Sequence, residues 1–365
     1  MPISTIPTSG LSSDQGVNFR NLIINGDMSI AQRGTSVSSI SGGGAFDTVD
    51  RFSRYISNAG TWTISQSTDT PTGQGFANST KLDCTTANSS LASGSEFIFR
   101  TKLEGQMLQM LKKGTSSAES TTLSFWVKSN KTGTYICELF DHDNSRHINK
   151  SYTISSANTW EKKTITFAGD TTGTLGNDNA VSIQCTWYLA VGTNMSSGTL
   201  QTSWGARTDA NRAVGQVNLA DSTSNEWYIT GVQLEVGTTA SDFEFLPFDV
   251  NLKRCQRYFL RTYRNASGDY HCYPAKGQGT DAARFNFYLN VPMRATPSIS
   301  QSGNWRLFGD SGMVGNTNNV PSVLYYDVFG TALALEVDGY SGLTDNEVYN
   351  IAVQNMTYFD IDSEL

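Results

Sequence analysis

Apolar and polar residues alternate with a period of two along most of this chain, the pattern of half-buried strands. The longest run is Val181–Val191. Val181, Ile183, Cys185, Trp187, Leu189 and Val191 share one face, and Ser182, Gln184, Thr186, Tyr188 and Ala190 share the other. Leu123, Phe125 and Val127 alternate with Ser124, Trp126 and Lys128. After Lys131-Thr132-Gly133 comes a second strand, residues 135–140, expected to pair with the first across a tight connection. Further strands are expected at 62–65, 80–84, 96–103, 160–167 and 228–236. The period changes once: Leu103, Met107, Leu108 and Leu111 are helically spaced and followed by Lys112, Lys113 and Gly114, which predicts one short amphipathic helix.

Gly237 ends the 228–236 strand, and a polar loop leads to Phe243, Phe245 and Phe248, interrupted by Pro247. Asp249 can cap a short helix over 252–257. Strands follow at 258–263, 284–291, 323–329, 333–337 and 348–361. The expected fold is all-β: an antiparallel jelly-roll sandwich over 21–247, then a second, smaller β-sandwich over 248–365. Residues 1–20 are Ser/Thr/Pro-rich and lack periodicity. With no internal repeat and no heptad pattern, a long fibrous shaft is not expected.

The segment GVQLEVG followed by LKRCQRYF, with NLIINGDMSIAQRGT and DRF before it and VPMRATPSIS behind it, resembles the junction of bacteriophage virion proteins. Tail-fibre and fibre-like proteins are the nearest in kind, with a carbohydrate-binding-module-like jelly roll preceding a small C-terminal β-domain. The resemblance spans residues 21–300. It implies a virion structural protein, a tail-fibre or receptor-binding subunit that contacts host surface polysaccharide without catalysis. It also implies a homotrimer whose residues 1–20 dock on other tail or head proteins, assembled in the host cytoplasm and carried on the virion. In such proteins the Asp50-Arg51-Phe52 element is structural, so Asp50 and Arg51 are expected to organise the fold. A head decoration or tail-adaptor subunit without ligand, and a polysaccharide depolymerase, stay as alternatives.

Composition narrows the chemistry. At 365 residues the chain can hold two domains. A net charge of −7 argues against nucleic-acid binding. The basic cluster Lys253, Arg254, Arg257, Arg261 and Arg264 is expected to pair with acidic neighbours or a subunit surface. No apolar run approaches the ~18 residues of a membrane span, so no membrane insertion is expected. MPISTIPTSG has neither a basic nor an apolar signal region, so no secretory signal is expected. Cys84, Cys137, Cys185, Cys255 and Cys272 show no paired spacing and are expected to be reduced.

A glycosidase needs two carboxylates ~5–10 Å apart. Glu138 and Asp141 are the nearest candidates, and a solvated strand end is the expected reading of both. His142, His147 and His271 form no zinc motif, and no cofactor is expected. Asp141, Asp143 and Asn144 put hard oxygens in one turn that could hold a structural calcium. Sugar recognition requires exposed aromatic faces with Arg, carboxylate or amide partners. Trp204, with Arg207 and Asp209, and Trp305 satisfy this on loops; Trp62 and Tyr188 are candidate platforms on a sheet face.

Overall fold

The computed structural model describes residues 19–262, 273–310, 312–326, 331–356 and 358–365. The chain forms two compact units, the first ending at Pro247 and the second beginning at Phe248. The first contains β1 (Ser36–Ile40), β2 (Gly43–Ala45), β3 (Phe52–Ser57), β4 (Thr61–Ser67), β5 (Ser79–Thr86), β6 (Glu96–Glu104) and β7 (Thr121–Ser129). These are followed by β8 (Gly133–Asp141), β9 (Arg146–Ile154), β10 (Glu161–Phe167), β11 (Val181–Val191), the one-turn helix α1 (Thr193–Ser196), β12 (Gly205–Ala206) and β13 (Glu226–Val236). They build two sheets, in the orders β1-β4-β5-β13-β7-β10 and β12-β9-β8-β11-β6-β3-β2, a layered all-β sandwich of the jelly-roll kind.

The inward residues of the two sheets make one core. Trp62, Phe125, Val127 and Ile229 from the first sheet meet Phe97, Phe99, Cys185 and Trp187 from the second. The Trp187 ring lies 5.7 Å from Phe125 and 6.4 Å from Phe99. Each such side chain contributes roughly 1.5–3 kcal/mol by leaving water.

Local pattern and topology disagree in three places. β8 does not pair with β7: it lies between β9 and β11 in the opposite sheet, so residues 130–132 cross between layers where a hairpin was expected. The predicted helix is absent, because β6 carries Leu103 inward and runs to Glu104. Two 3₁₀ turns follow, Gly105–Met107 and Gln109–Leu111, and Lys112 at φ 48 ends the second. So short a segment cannot sustain an α-helix alone, and Leu108 and Leu111 serve instead as plugs in the core. The third is Asn21 to Ile30, which buries Leu22, Ile23, Ile24, Met28 and Ile30 without becoming a strand.

Side chains hold that segment instead. Asn21 Oδ1 accepts from Ile23 N and Leu234 N at 3.0 and 3.1 Å. Asn25, at φ 61, donates from Nδ2 to the carbonyls of Ile30 and Asp50. Gly26 packs so closely that an added Cβ would lie 2.0 Å from Val232 O. Buried Asp50 accepts from Gln32 N at 3.0 Å and faces Arg33, while Arg51 Nη2 donates to Lys102 O at 2.8 Å.

The second unit opens with α2 (Phe248–Gln256) and β14 (Phe259–Thr262), β15 (Tyr273–Gln278), β16 (Ala282–Tyr288), β17 (Ser298–Gln301) and β18 (Asn304–Gly309). β19 (Gly312–Thr317), β20 (Ser322–Tyr326), β21 (Ala332–Val337), β22 (Val348–Gln354) and β23 (Phe359–Asp362) complete it. A sheet β19-β18-β22-β15-β16-β21-β20 packs against a three-stranded sheet β14-β23-β17 around Phe285, Phe287, Leu335, Ile351 and Phe359. The run expected over 348–361 is two strands in different sheets, separated by Asn355 at φ 53. Arg261 forks onto Asp360, the acidic pairing expected of that basic cluster. Arg264, His271, Cys272 and residues 327–329 lie outside the described residues, as do residues 1–18 of the expected docking segment.

Trp187→Ala should destabilise the first unit by about 3–5 kcal/mol through lost burial and an unfilled cavity. Chemical denaturation followed by circular dichroism checks this, and an unchanged midpoint would refute the core assignment.

Candidate functional site on the outer face of the seven-stranded sheet

Residues of β3, β6, β11, β8 and β9 that point away from the core form cross-strand rows on the sheet's outer face. One row is Tyr55, Ile98, Tyr188 and Ile136; the next is Ser53, Arg100, Thr186, Glu138 and Asn149. A sheet of this kind ordinarily shows such a face to water. Here half of it is covered. The excursion between β11 and β13, which carries α1 and β12, folds over β8, β9 and β11, so Glu138, Asn149 and Tyr188 are buried although polar.

The excursion is fixed by a buried polar cluster. Arg212 donates to Glu138 through a fork, Nε to Oε1 at 2.8 Å and Nη2 to Oε2 at 2.6 Å. The Tyr188 hydroxyl donates to Glu138 Oε2 at 3.0 Å. Asn149 Nδ2 donates to Arg212 O and to Glu138 Oε1. Ala213 packs with Ile98, Ile136 and Tyr188, and Gln216 Oε1 accepts from Ile136 N at 2.8 Å. Burial alone would raise the Glu138 carboxyl, but the Arg212 guanidinium outweighs it and holds the group down to about 2. Burial pushes the Tyr188 hydroxyl well up.

The other half, along β2, β3 and β6, is open. Tyr55 is 36 % exposed, and Glu96, Arg100 and Lys102 are partly exposed beside it. Gly44 on the edge strand β2 pairs with Tyr55 and has no side chain to fill the space there. Burial raises the Glu96 carboxyl, and the charges of Glu138 and Asp209 add to this against Arg212 and Arg100.

Some predicted site residues lie on this face and others do not. Arg207 and Asp209 do: they are 48 % and 47 % exposed, forked together at 2.7 and 3.2 Å, with the Arg207 guanidinium over Phe140. Trp204 is partly buried at the rim between the two sheets. Its Nε1 donates to Ala168 O at 2.7 Å, and Lys113 Nζ stands 5.1 Å from its ring. Trp62 is not a platform. It is 0 % exposed on β4, 4.5 Å from Phe97, with Nε1 donating to Ala59 O, because its alternation with Ile64 turns it inward. Trp305 lies on β18, not in a loop, 1 % exposed between Phe285 and Phe359. Tyr188 faces outward but is closed over by Arg212.

The turn proposed for calcium is occupied by protein groups. Asp141 is buried against Lys113, which also meets Asp170 at 3.0 Å, and Asp141 accepts from Asn144 N and Nδ2 at 3.0 and 2.9 Å. Asp143 accepts from Gly176 N at 2.9 Å. Among the described residues no cluster of His, Cys, Asp and Glu is arranged to hold a metal. His147 Nδ1 meets Asn149 Oδ1 at 2.6 Å and Nε2 accepts from Thr208 N at 3.2 Å, so neither ring nitrogen is left for a ligand. Glu138 and Asp141 are not the solvated strand end expected: both are buried and paired with cations. Cys84, Cys137, Cys185 and Cys255 are buried free thiols. Tyr55, Glu96 and Arg100 were not singled out from sequence, although the outward phase of 96–103 already placed Glu96, Ile98 and Arg100 together.

No protein-family profile matches the chain, and no curated protein does. Among solved structures it is similar to an enzymatically active domain of tailspike protein 4 of bacteriophage CBA120, at 12% identity and TM-score 0.32, over 60% of this chain and 21% of that one. It is also similar to the module TmCBM61 in complex with β-1,4-galactotriose, at 11% identity and TM-score 0.30, over 60% of this chain and 99% of that one. A third is a family 11 carbohydrate-binding module from Clostridium thermocellum in complex with a β-1,3-1,4-mixed-linked tetrasaccharide. That match has 12% identity and TM-score 0.28, over 57% of this chain and 99% of that one.

Glu138→Gln should cost about 3–5 kcal/mol, because Arg212 loses its forked buried partner and keeps only the longer, half-exposed contact with Asp209 at 3.5 Å. A depressed carboxyl stabilises the fold fully above its unfolded pKa, ~4.3. That contribution is lost as pH falls toward about 2. Urea titrations between pH 7 and 2 should therefore show the gap between parent and variant constant above pH ~4.3 and closing from there toward about 2; a gap constant with pH would contradict the pairing.

Proposed function

We propose that the first unit binds host-surface glycans, without turnover, in the open half of the outer face of the seven-stranded sheet. The observation that carries this reading is the exposed Tyr55 ring beside Ser53, Glu96 and Arg100, on a sheet whose central outer face is closed. An aromatic face takes the C–H side of a pyranose, and the flanking charged and hydroxyl groups take its hydroxyls. Arg207 and Asp209 form an exposed polar margin on the same face. The sequence resemblance to fibre-like virion proteins supports placing the chain on a phage particle as a homotrimeric attachment subunit, docked through residues 1–20. Weak single contacts would then be multiplied by copy number.

One observation favours a second reading, a depolymerase: Glu96 is a carboxyl raised by burial in the same groove, as a general acid requires. Release of reducing ends from host capsule, abolished by Glu96→Gln, would establish it and displace the binding reading. Binding on an array of bacterial surface polysaccharides with no release of ends supports the non-catalytic one. Antibody labelling of intact particles tests the virion location, and sedimentation equilibrium the trimer.

Tyr55→Ala should weaken glycan retention in affinity electrophoresis about tenfold, since an aromatic anchor is the usual source of such energy. The melting temperature should change little, because the ring is exposed. Equal retention by parent and variant would remove the groove as the site.

A further inference from the structure

The Arg100 guanidinium is the group in this groove that the protein itself leaves incomplete. It is partly buried, and burial lowers its basicity. Its hydrogen bonds are two long ones, Nε to Ser53 Oγ and Nη1 to Gln184 Oε1, both 3.4 Å. None of the ion pairs formed among the described residues includes it. Other arginines of the first unit are treated differently: Arg54 is forked onto Asp47, Arg146 onto Asp170 and Arg212 onto Glu138. A guanidinium withdrawn from water without an anion is unfavourable, and its planar fork matches a carboxylate better than any neutral group.

The surroundings give that anion a carrier. A Cβ placed on Gly44 would lie 3.5 Å from Tyr55 Cδ2 and 3.7 Å from Arg100 Nη2. Tyr55 Cδ2 and Arg100 Nη2 are therefore no farther apart than the sum of those two distances, close enough for one sugar ring to touch both, and Gly44 puts no side chain over them. Glu96, on the same face of β6, acts on Arg100 by its charge but forms no ion pair with it, and burial raises its carboxyl, so the fork itself is left to a carboxylate from outside.

We propose that the groove takes an acidic saccharide, a polymer bearing uronic or sialic acid, whose carboxylate pairs with Arg100 while Tyr55 carries the apolar face of the same ring. This rests on the glycan-binding reading above and names its ligand class.

The test is calorimetric titration of the full chain with polygalacturonate, hyaluronan and polysialic acid, beside carboxyl-reduced polygalacturonate and hyaluronan and neutral galactan and mixed-linked glucan. The expected result is binding to at least one acidic polymer, lost when its carboxylates are reduced. Arg100→Gln should weaken that binding tenfold or more, and Arg100→Lys should fall between, keeping charge without the fork. The melting temperature of Arg100→Gln should be equal to or above that of the parent, because a buried charge is removed. Equal binding to reduced or neutral polymers, or to Arg100→Gln, overturns the acidic assignment and leaves the glycan reading standing. A lowered melting temperature of Arg100→Gln assigns the side chain to the fold and overturns it as well. Binding to none of the polymers removes the glycan reading itself.

Discussion

The buried pair of Glu138 and Arg212 decides which surface of the first unit is available to anything else. A β-sandwich seals its core with one face of each sheet and leaves the other faces to water. In the seven-stranded sheet, a carboxylate at the centre of the outer face draws Arg212 down onto it, and the excursion between β11 and β13 comes with it. Tyr188, Asn149 and Ala213 then lose their contact with water. The part of the face along β2, β3 and β6 remains open, as does the end of β9 at Ser151 and Thr153, so the groove is defined by the edge of the cover as much as by its own residues.

Buried ion pairs are poor sources of net stability but strong sources of uniqueness, since breaking one strands a charge. The first unit uses them where loops must take one position. Lys113 sits between Asp141 and Asp170, Arg146 holds Asp170 from the other side, and Trp204 closes over the Lys113 end. Asp50 gathers Gln32 and Arg33 at the start of the unit. Lys113, Asp170, Gln32 and Arg33 lie outside the strands, in segments without the alternation of a strand, and the charges supply the direction that periodicity does not.

This explains which parts of the molecule were legible in sequence. Strands with one wet and one dry face announce themselves, and Val181–Val191 falls on β11 residue for residue. Pairing across β7 and β8 did not, because a short polar connection serves equally for a hairpin and for a crossing between layers. The outward residues of β11 looked solvated because their cover, the segment that follows β11, is built of turns without regular pattern. Trp62, a candidate platform, and Trp305, a candidate loop aromatic, are both buried, and Trp62-x-Ile64 and Trp305-x-Leu307 carry the inward alternation that buries them. The turn at Asp141 was read as a cradle for a cation, and it does meet one, the Lys113 ammonium that sequence distance concealed.

The same reasoning marks the groove as a place of work. A fold that pairs Arg54, Arg146 and Arg212 with carboxylates has the means to pair Arg100 too. A Glu or Asp at position 53 in place of the serine, on the row beside it, would do so. Leaving the guanidinium with two long neutral contacts costs stability, which the charge of Glu96, acting without an ion pair, offsets only in part. A residue that opposes the local rules of the fold at an open, aromatic-flanked position is placed there by a requirement outside the free chain. On the proposal made above, what Arg100 lacks is a directly bonded anion, and a single sugar ring can reach both its fork and the Tyr55 ring.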